Sequence, residues 1–484
     1  MNSPFNEQHY KELLEGLEIS EVKFSYVKQS CEILRLDSFY YSKEFLYDEY
    51  KIDNQKRKKL RDLSSSILSF GAYSLNNFVE YRNSGVPFIR GVNLKNGILD
   101  FNDVIFIDKD AHKLLWKSEV FPKTILLSMS GTIGDVAIAM PDYPYPMNSN
   151  QDIAKIRINN KINTYYVYAF LLSRYGQNYL KREARGSVQQ HVFLSQMENF
   201  DIPIPSISFQ KQLEKVVLSS HFSLSKSDSL YSELQNLIMD KFGLNNWQPS
   251  NNLVNVKSLK DSFLSSGRMD AEHYQMKYDE LEARIKTLPY KTIAEIQQFN
   301  ARGVQPDYVE EGSVSVVNSK HILEDGLDYD NFERTTEAFL SSHERAQIEY
   351  GDILIYTTGA NIGRTQVYLK DDHALASNHV NILRVRGVNP IYLALVLNSP
   401  VGRMQTEKLC TGSAQAEIYP NDIEKFIVPI LDETIQESIA AKVQECFAMK
   451  AESKRLLNVA KEAVEIAISD SEEKALQFIK ESIS

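Results

Sequence analysis

The 484-residue sequence is poor in the patterns that build metal centres, disulfide frameworks and membrane helices. Its three cysteines lie far apart, so they provide neither a zinc spacing nor a disulfide framework. No apolar run approaches the roughly 18 residues that a membrane helix needs. Residues 1–19 are polar and acidic, unlike a signal peptide. These features predict a protein of the reducing cytoplasm with no membrane partner.

Motifs for catalysis are missing as well. The histidines show no His-x-x-x-His spacing for a metal, no Gly-x-Ser-x-Gly marks a nucleophile, and no Asn-Pro-Pro-Tyr-like segment suits base methylation. Residues 359–365 resemble a phosphate-binding loop. They have three residues between the glycines where four are needed, however, and an arginine in place of the lysine. We therefore predict that the polypeptide performs no chemistry alone and binds no cofactor or metal.

Acidic residues outnumber basic ones, and a net charge of −10 argues against a protein that coats nucleic acid. The charge is unevenly distributed, because one short stretch collects several cations: Arg174, Lys181, Arg182, Arg185 and His191. The last helical segment is acidic and would repel phosphate. That surface would suit a protein partner instead.

One sequence module occurs twice in this chain. Arg35-x-Asp37-x-x-x-Tyr41 recurs as Arg268-x-Asp270-x-x-x-Tyr274, and further matches follow in the same order. They are Ile125–Gly131 with Ile353–Gly359, Gly186-Ser187-x-Gln189 with Gly412-Ser413-x-Gln415, and Phe200–Ile204 with Phe426–Ile430. A slowly drifting offset indicates duplication with small insertions. Two copies are too few for a solenoid, so we predict two similar domains that each bind half of one target.

Each copy is predicted to be mixed α/β. Short apolar runs bounded by glycine, proline or asparagine predict strands at residues 125–129, 136–139, 153–158, 353–356, 365–368 and 380–385. An amphipathic helix should follow the third strand of each copy, at residues 165–181 and 390–408. A proline-bearing segment then ends each copy and precedes a long helix.

The two long helices carry the clearest periodicity. Seam positions alternate in steps of four and three from Leu213 to Ile238 and from Ile439 to Ala467, as in a heptad repeat. Both seams are polar near the middle, where Ser220, Ser227 and Ser453 lie. Matching polar centres favour an intramolecular antiparallel pair. The alternative is that each helix packs only on its own domain. At ~1.5 Å per residue the first helix would be roughly 45 to 50 Å long.

The best binding candidates lie just before the proline-bearing strand of each copy. The first copy offers cations that can reach phosphate beside glutamines that can read adenine: Lys181, Arg182, Arg185, Ser187, Gln189 and Gln190. The second copy offers Lys408, Ser413 and Gln415. An ordinary capped helix end, with Gly186 and Gly412 as C-caps, would also explain these segments. Recurrence in both copies favours a binding function.

Taken together, these motifs resemble the specificity subunit of type I restriction-modification systems. The resemblance rests on the duplicated glycine turn, the Gly-Ser-x-Gln segments, the Ile-Pro-Ile-Pro segment and the long helix after each copy, and it extends from about residue 35 onward. It implies two tandemly duplicated α/β target recognition domains separated by two long antiparallel coiled-coil helices. The expected segments are an extension at 1–30, domains at 31–205 and 246–431, and long helices at 206–245 and 432–484.

The resemblance also implies a function. Such a chain would read an asymmetric bipartite sequence in double-stranded DNA, with a non-specific gap. Two methyltransferase subunits would supply S-adenosylmethionine and modify adenine, and a restriction subunit would cut. Thr132, Asn361 and Arg364, in and beside the glycine turns, become further candidates for DNA contact. Two alternatives stay open: a specificity chain serving a fused methyltransferase-nuclease, and a two-domain protein scaffold that does not touch DNA.

Overall fold

A computed structural model describes residues 6–18, 20–30, 34–69, 79–186, 190–252, 254–324, 326–412 and 415–483. The chain divides into two compact units. The first unit contains residues 1–222 and 452–484, and the second unit contains residues 223–451. Within the described ranges, no helix is both long and apolar enough to cross a membrane.

Two four-stranded sheets form the centre of the first unit. One sheet is antiparallel and has, in spatial order, the strands Ser64–Leu68, Ile153–Ile158, Ile125–Ser128 and Val136–Ile138. The other has the order Ile105–Ile107, Val86–Ile89, Met147–Ser149 and Glu119–Val120, and its two central strands are parallel. Arg57–Lys59 pairs with Asp201–Pro203, and Leu94–Lys95 pairs with Ile98–Leu99.

The second unit repeats this topology strand for strand. Its antiparallel sheet has the order Gln297–Arg302, Val380–Val385, Ile353–Tyr356 and Thr365–Val367. Its mixed sheet has the order Glu333–Thr335, Val314–Val317, Ala374–Ala376 and Gln347–Ile348. Tyr290–Thr292 pairs with Ile427–Pro429, and Ile322–Leu323 pairs with Gly326–Leu327. The predicted duplication of a mixed α/β domain is confirmed, and all six predicted strands are present.

The single amphipathic helix predicted after the third strand is wrong in both units. The first unit has two helices, Thr164–Leu172 and Arg174–Glu183, and the second has Pro390–Asn398 and Pro400–Leu409. Pro400 has no N–H to continue a helix. In the first unit the close approach of the next helix needs Gly176, where a Cβ would lie 2.3 Å from the Phe170 carbonyl oxygen. The first helix of each pair is buried almost all round rather than amphipathic.

Further helices surround the sheets. Those of the first unit are Glu7–Leu14, Phe24–Ser30, Lys43–Asp53, Leu60–Leu63, Lys109–Leu114, Leu194–Glu198 and Glu472–Ile483. Those of the second are Phe263–Ser266, Met276–Ile285, Ile293–Ile296, Glu337–Ser342 and Pro420–Ile423. Helix Phe24–Ser30 belongs to the predicted extension at 1–30, and its Val27 packs against Tyr40 and Tyr41 of the first unit.

The long helices are Ile207–Lys241 and Glu433–Ser469. Within the first unit, the Ser220 hydroxyl donates to the Ser453 carbonyl oxygen at 2.7 Å. Within the second unit, the Ser227 hydroxyl donates to the Cys446 carbonyl oxygen at 2.8 Å. Within the first unit, the Ser206 N–H also donates to Glu472 Oε1 at 3.0 Å, so the two chain directions are antiparallel there, as predicted. Ser220 meets Ser453 as predicted, whereas Ser227 bonds to the backbone at Cys446 instead. The second helix ends earlier than expected, and a separate helix, Glu472–Ile483, follows it.

Candidate nucleic-acid interface

The duplicated Arg-x-Asp-x-x-x-Tyr motif is a structural clamp. In the first unit, Arg35 Nε and Asp37 Oδ2 are 2.7 Å apart, and Arg35 Nη1 donates to the Arg182 carbonyl oxygen at 2.7 Å. The Tyr41 hydroxyl donates to the Arg35 carbonyl oxygen at 2.9 Å. The motif therefore holds the C-terminal end of helix Arg174–Glu183, from which the candidate binding loop emerges.

The second unit builds the same clamp. Arg268 Nη1 donates to the carbonyl oxygens of Leu409 and Cys410, each at 3.3 Å, and pairs through its other nitrogens with Asp270. The Tyr274 hydroxyl donates to the Arg268 carbonyl oxygen at 2.9 Å. The clamp thus fixes a helix end and the following loop at the same place in each copy.

Arg182 was predicted to contact DNA, but its side chain instead makes its contacts inside the first unit. Its side chain is 5% exposed, and its Nη1 donates to Glu49 Oε2 at 2.9 Å. Nε donates to the Tyr40 carbonyl oxygen, and Nη2 donates to the Tyr26 hydroxyl at 3.1 Å. The charge of Glu49 raises the pKa of Arg182 against the opposing effect of burial. With these donors engaged, Arg182 is a structural residue.

Lys408 is the counterpart of Arg182 and makes the counterpart ion pair. Its Nζ lies 3.3 Å from Glu282 Oε2, and its side chain is 22% exposed. The hydrogen bond from Lys286 and the charge of Lys408 lower the pKa of Glu282 against its burial. Lys408 therefore faces into its own unit rather than outward.

Two motifs that are distant in the first copy of the sequence meet in its structure. The glycine turn, residues 131–134, follows strand Ile125–Ser128, and the Gly-Ser loop comprises residues 185–191. Ser130 and Arg185 each form a β-bridge with His191, so the loop closes on the turn. The turn needs glycine because Gly131 and Gly134 have φ values of 75° and 97°.

The second unit makes the same junction between its glycine turn, residues 359–363, and its Gly-Ser loop, residues 411–417. Here Thr358 and Thr411 each form a β-bridge with Glu417, and the Gly359 N–H donates to the Ala416 carbonyl oxygen at 2.9 Å. Gly412 has a φ of 103°, and a Cβ there would lie 2.3 Å from the Gln415 carbonyl oxygen. Gly412 therefore closes a tight loop, and the alternative that it is a helix C-cap is wrong, because Cys410 caps the helix Pro400–Leu409.

The other candidate residues lie around these junctions. Lys181, Thr132, Gln190 and Gln415 are exposed, while Arg185, Asn361 and Arg364 are half-buried. The Arg364 N–H donates to the Asn361 carbonyl oxygen at 3.1 Å, which closes the second glycine turn. Ser187, Gln189 and Ser413 lie outside the described residues.

Sequence reasoning missed an aromatic side chain beside each junction. Phe193 is 47% exposed and its ring centroid lies 4.6 Å from that of His191. Tyr419 holds the corresponding position and is 43% exposed, and its hydroxyl donates to Glu417 Oε2. The signal was available, because the register that aligns Gly186 with Gly412 also aligns these residues.

Arg302 was missed for a different reason. It ends strand Gln297–Arg302 and brings its guanidinium 4.4 Å from the Tyr419 ring centroid. Its Nη2 donates to Thr358 Oγ1 at 3.2 Å and to the Ile418 carbonyl oxygen at 3.1 Å. No motif of the repeat includes Arg302, so only the sheet pairing could bring it to the junction.

Part of the chain matches a known domain family. Residues 52–218 match the family described as "Type I restriction modification DNA specificity domain". This match lies within the first unit and includes its glycine turn and Gly-Ser loop. Residues 52–218 therefore carry a domain of this family.

The chain is also similar to two curated specificity subunits and to one solved structure. The chain is 23% identical over 339 residues to the type I restriction enzyme MjaIX specificity subunit of Methanocaldococcus jannaschii, covering 67% of this chain and 71% of that one. It is 24% identical over 186 residues to the EcoBI specificity subunit of Escherichia coli, covering 36% and 38%. A solved S subunit from M. genitalium is 14% identical, with 88% of this chain and 96% of that one covered and a TM-score of 0.37.

Proposed function

We propose that this chain is the DNA-reading subunit of a type I restriction-modification complex and recognises an asymmetric target of two half-sites separated by a non-specific gap. The observation that carries the proposal is the junction of glycine turn and Gly-Ser loop, which each unit forms through the same pair of β-bridges. Loops held on a rigid scaffold are a common place for specific contacts. Because the side chains at the two junctions differ, the half-sites should differ too.

The described candidates divide into two sets under this proposal. In the first unit, Lys181 and Arg185 would contact phosphate, and Gln190 and Thr132 would lie close to the bases. In the second unit, Gln415, Asn361 and Arg364 would take these roles. Ser187, Gln189 and Ser413 remain candidates from the sequence, whereas Arg182 and Lys408 are reassigned to the scaffold.

Catalysis is assigned to partners. Two methyltransferase subunits that carry S-adenosylmethionine would modify adenine, and a restriction subunit would cut, while this chain itself would be non-catalytic. Its net charge of −10 is compatible with DNA recognition if the partners make much of the phosphate contact. The complex is expected to work in the cytoplasm.

Single-molecule sequencing of methylated adenine tests the proposal in cells that carry this gene with its neighbours, before and after its deletion. One asymmetric, gapped motif should disappear with the gene. Gln190→Ala should relax recognition in one half-site only, and Gln415→Ala in the other. An unchanged methylome alongside an active neighbouring methyltransferase would favour a protein scaffold.

A further inference from the structure

Glu417 places a carboxylate at the loop junction of the second unit. Its side chain is 30% exposed, and Arg302 Nη1 lies 3.9 Å from Oε2. The Tyr419 hydroxyl donates to Oε2, while the Thr358 hydroxyl reaches Oε1 only at 3.5 Å. The hydrogen bond from Tyr419, supported by the charge of Arg302, holds the pKa of Glu417 below its usual range. The carboxylate is therefore ionised at neutral pH, and Oε1 has acceptor capacity left.

The position of this carboxylate is fixed by its surroundings. The backbone of Glu417 is bridged to both Thr358 and Thr411. Arg302 is held in turn by Thr358 Oγ1 and by the Tyr419 ring. A side chain anchored in this way loses little conformational entropy on binding, which favours selective recognition.

An anionic group is unsuited to the phosphate backbone of DNA. In the major groove, however, the amino groups of cytosine and adenine are hydrogen-bond donors, and carboxylates accept from the cytosine amino group. A fixed carboxylate at a DNA-facing junction is thus suited to a base edge. The corresponding residue of the first unit, His191, is not anionic, so this feature is particular to the second half-site.

We propose that Glu417 specifies one base pair of the half-site read by the second unit, by accepting a hydrogen bond from an exocyclic amino group in the major groove, cytosine N4 or adenine N6. Tyr419 and Arg302 are positioning residues that hold the carboxylate. This inference rests on the proposed function and assigns the reading of one target position to a named side chain.

The test is a binding selection from a random duplex library, using the full chain purified with the subunits that its neighbouring genes encode. Wild type should select a gapped motif in which at least one base pair of the second half-site is invariant. Glu417→Ala should reduce discrimination at a single such position by roughly 10- to 100-fold, the worth of one good base contact. All other positions should remain unchanged.

Glu417→Gln distinguishes the two bases. A glutamine pairs well with adenine through N6 and N7, so a cytosine-reading site should shift its preference to adenine, and an adenine-reading site should keep it. Glu445→Gln removes the same charge from an exposed position of the second long helix and should leave the motif intact. Thermal unfolding of each variant controls for folding.

Each result has one meaning. If wild type selects no gapped motif, the proposed function fails and the inference fails with it. If wild type selects the motif but Glu417→Ala weakens all sequences equally, or alters the other half-site, the proposed function survives and the inference is overturned. A change confined to one base pair of one half-site supports both.

Discussion

Arg182 in the first unit and Lys408 in the second hold the same position of the repeat, but their surroundings differ. Arg182 is covered by helix Phe24–Ser30, whose Tyr26 hydroxyl accepts a hydrogen bond from it and donates one to Glu49. Lys408 instead lines an open cavity of about 630 Å³, whereas the cavity beside Arg182 in the first unit measures about 350 Å³. An N-terminal segment of the first unit thus converts a half-exposed ion pair into a buried one. We therefore expect the covering helix, rather than the ion pair itself, to determine how much each of the two pairs contributes to the free energy of unfolding.

Removing the cation from each pair tests this difference and should have the largest effect. Arg182→Met leaves Glu49 without its cation in a mostly buried site, so we expect a loss of about 3 kcal/mol. Lys408→Met breaks a more exposed pair and should cost under about 1 kcal/mol. Urea denaturation of the full chain, followed by hydrogen exchange in helices Arg174–Glu183 and Pro400–Leu409, would measure both. Arg182→Lys is the control that keeps the charge. Equal losses would show that the cover does not matter.

Lys155 provides a second contrast, because the corresponding residue of the second unit is Ile382. The Lys155 side chain lies in the core, where its Nζ donates to Ser149 Oγ at 3.1 Å. Burial lowers the pKa of Lys155 to about 8. The charged form is thus disfavoured in the folded state. We expect Lys155→Ile to stabilise the first unit by about 2 kcal/mol at pH 7, since it removes this cost.

The pH dependence separates charge from packing. Between pH 8 and the ordinary lysine pKa, the unfolded chain binds a proton that folded Lys155 does not, so wild-type stability should rise with pH in this window. Lys155→Ile should lack that rise, and its advantage should shrink as pH increases. Urea denaturation at pH 7, 8 and 9.5 would measure it, with Lys58→Ile as an exposed control. An advantage that stays constant with pH would point to packing alone.

Much of this architecture could be predicted from the sequence because it is local or repeated. The strands follow from short apolar runs, and the seam from Leu213 to Ile238 follows from its spacing. The roles of Arg182 and Lys408 could not be predicted from the sequence. A cation near a helix end has the same sequence pattern whether it contacts DNA or pairs with a carboxylate, and here each carboxylate precedes its cation by more than a hundred residues. Arg302 was invisible for a similar reason, since only strand pairing brings it to Glu417.

One glycine in each of the two short hairpins differs in how tightly it packs. Gly97 has a φ of 90°, and a Cβ there would lie 2.6 Å from Leu457 Cδ2 and 3.1 Å from the Tyr168 hydroxyl oxygen. Gly326, the first residue of the second strand in the matching hairpin, has a φ of 151°, and among the described residues no atom lies within 4 Å of such a Cβ. Both alanine variants should be strained, but Gly97→Ala should cost about 1 kcal/mol more because it also overpacks the contact. Thermal unfolding of the pair would measure it, and a larger loss for Gly326→Ala would contradict the packing argument.

The two Arg-Asp pairs of the clamp should respond weakly and alike to acid. The hydrogen bond from Arg268 lowers the pKa of Asp270 to about 2, and that from Arg35 lowers the pKa of Asp37. A carboxyl whose folded pKa is depressed stabilises the fold above its unfolded pKa and loses that contribution as pH falls toward the folded value. Both carboxylates are more than a third exposed, so each pair should contribute under about 1 kcal/mol. Asp270→Asn and Asp37→Asn should therefore lower stability slightly at pH 6, and the difference from wild type should narrow at pH 3. Urea denaturation midpoints of the variants and of wild type at pH 6 and pH 3 would test this prediction. If the difference in stability from wild type widened at pH 3, the pairs would act through packing rather than charge.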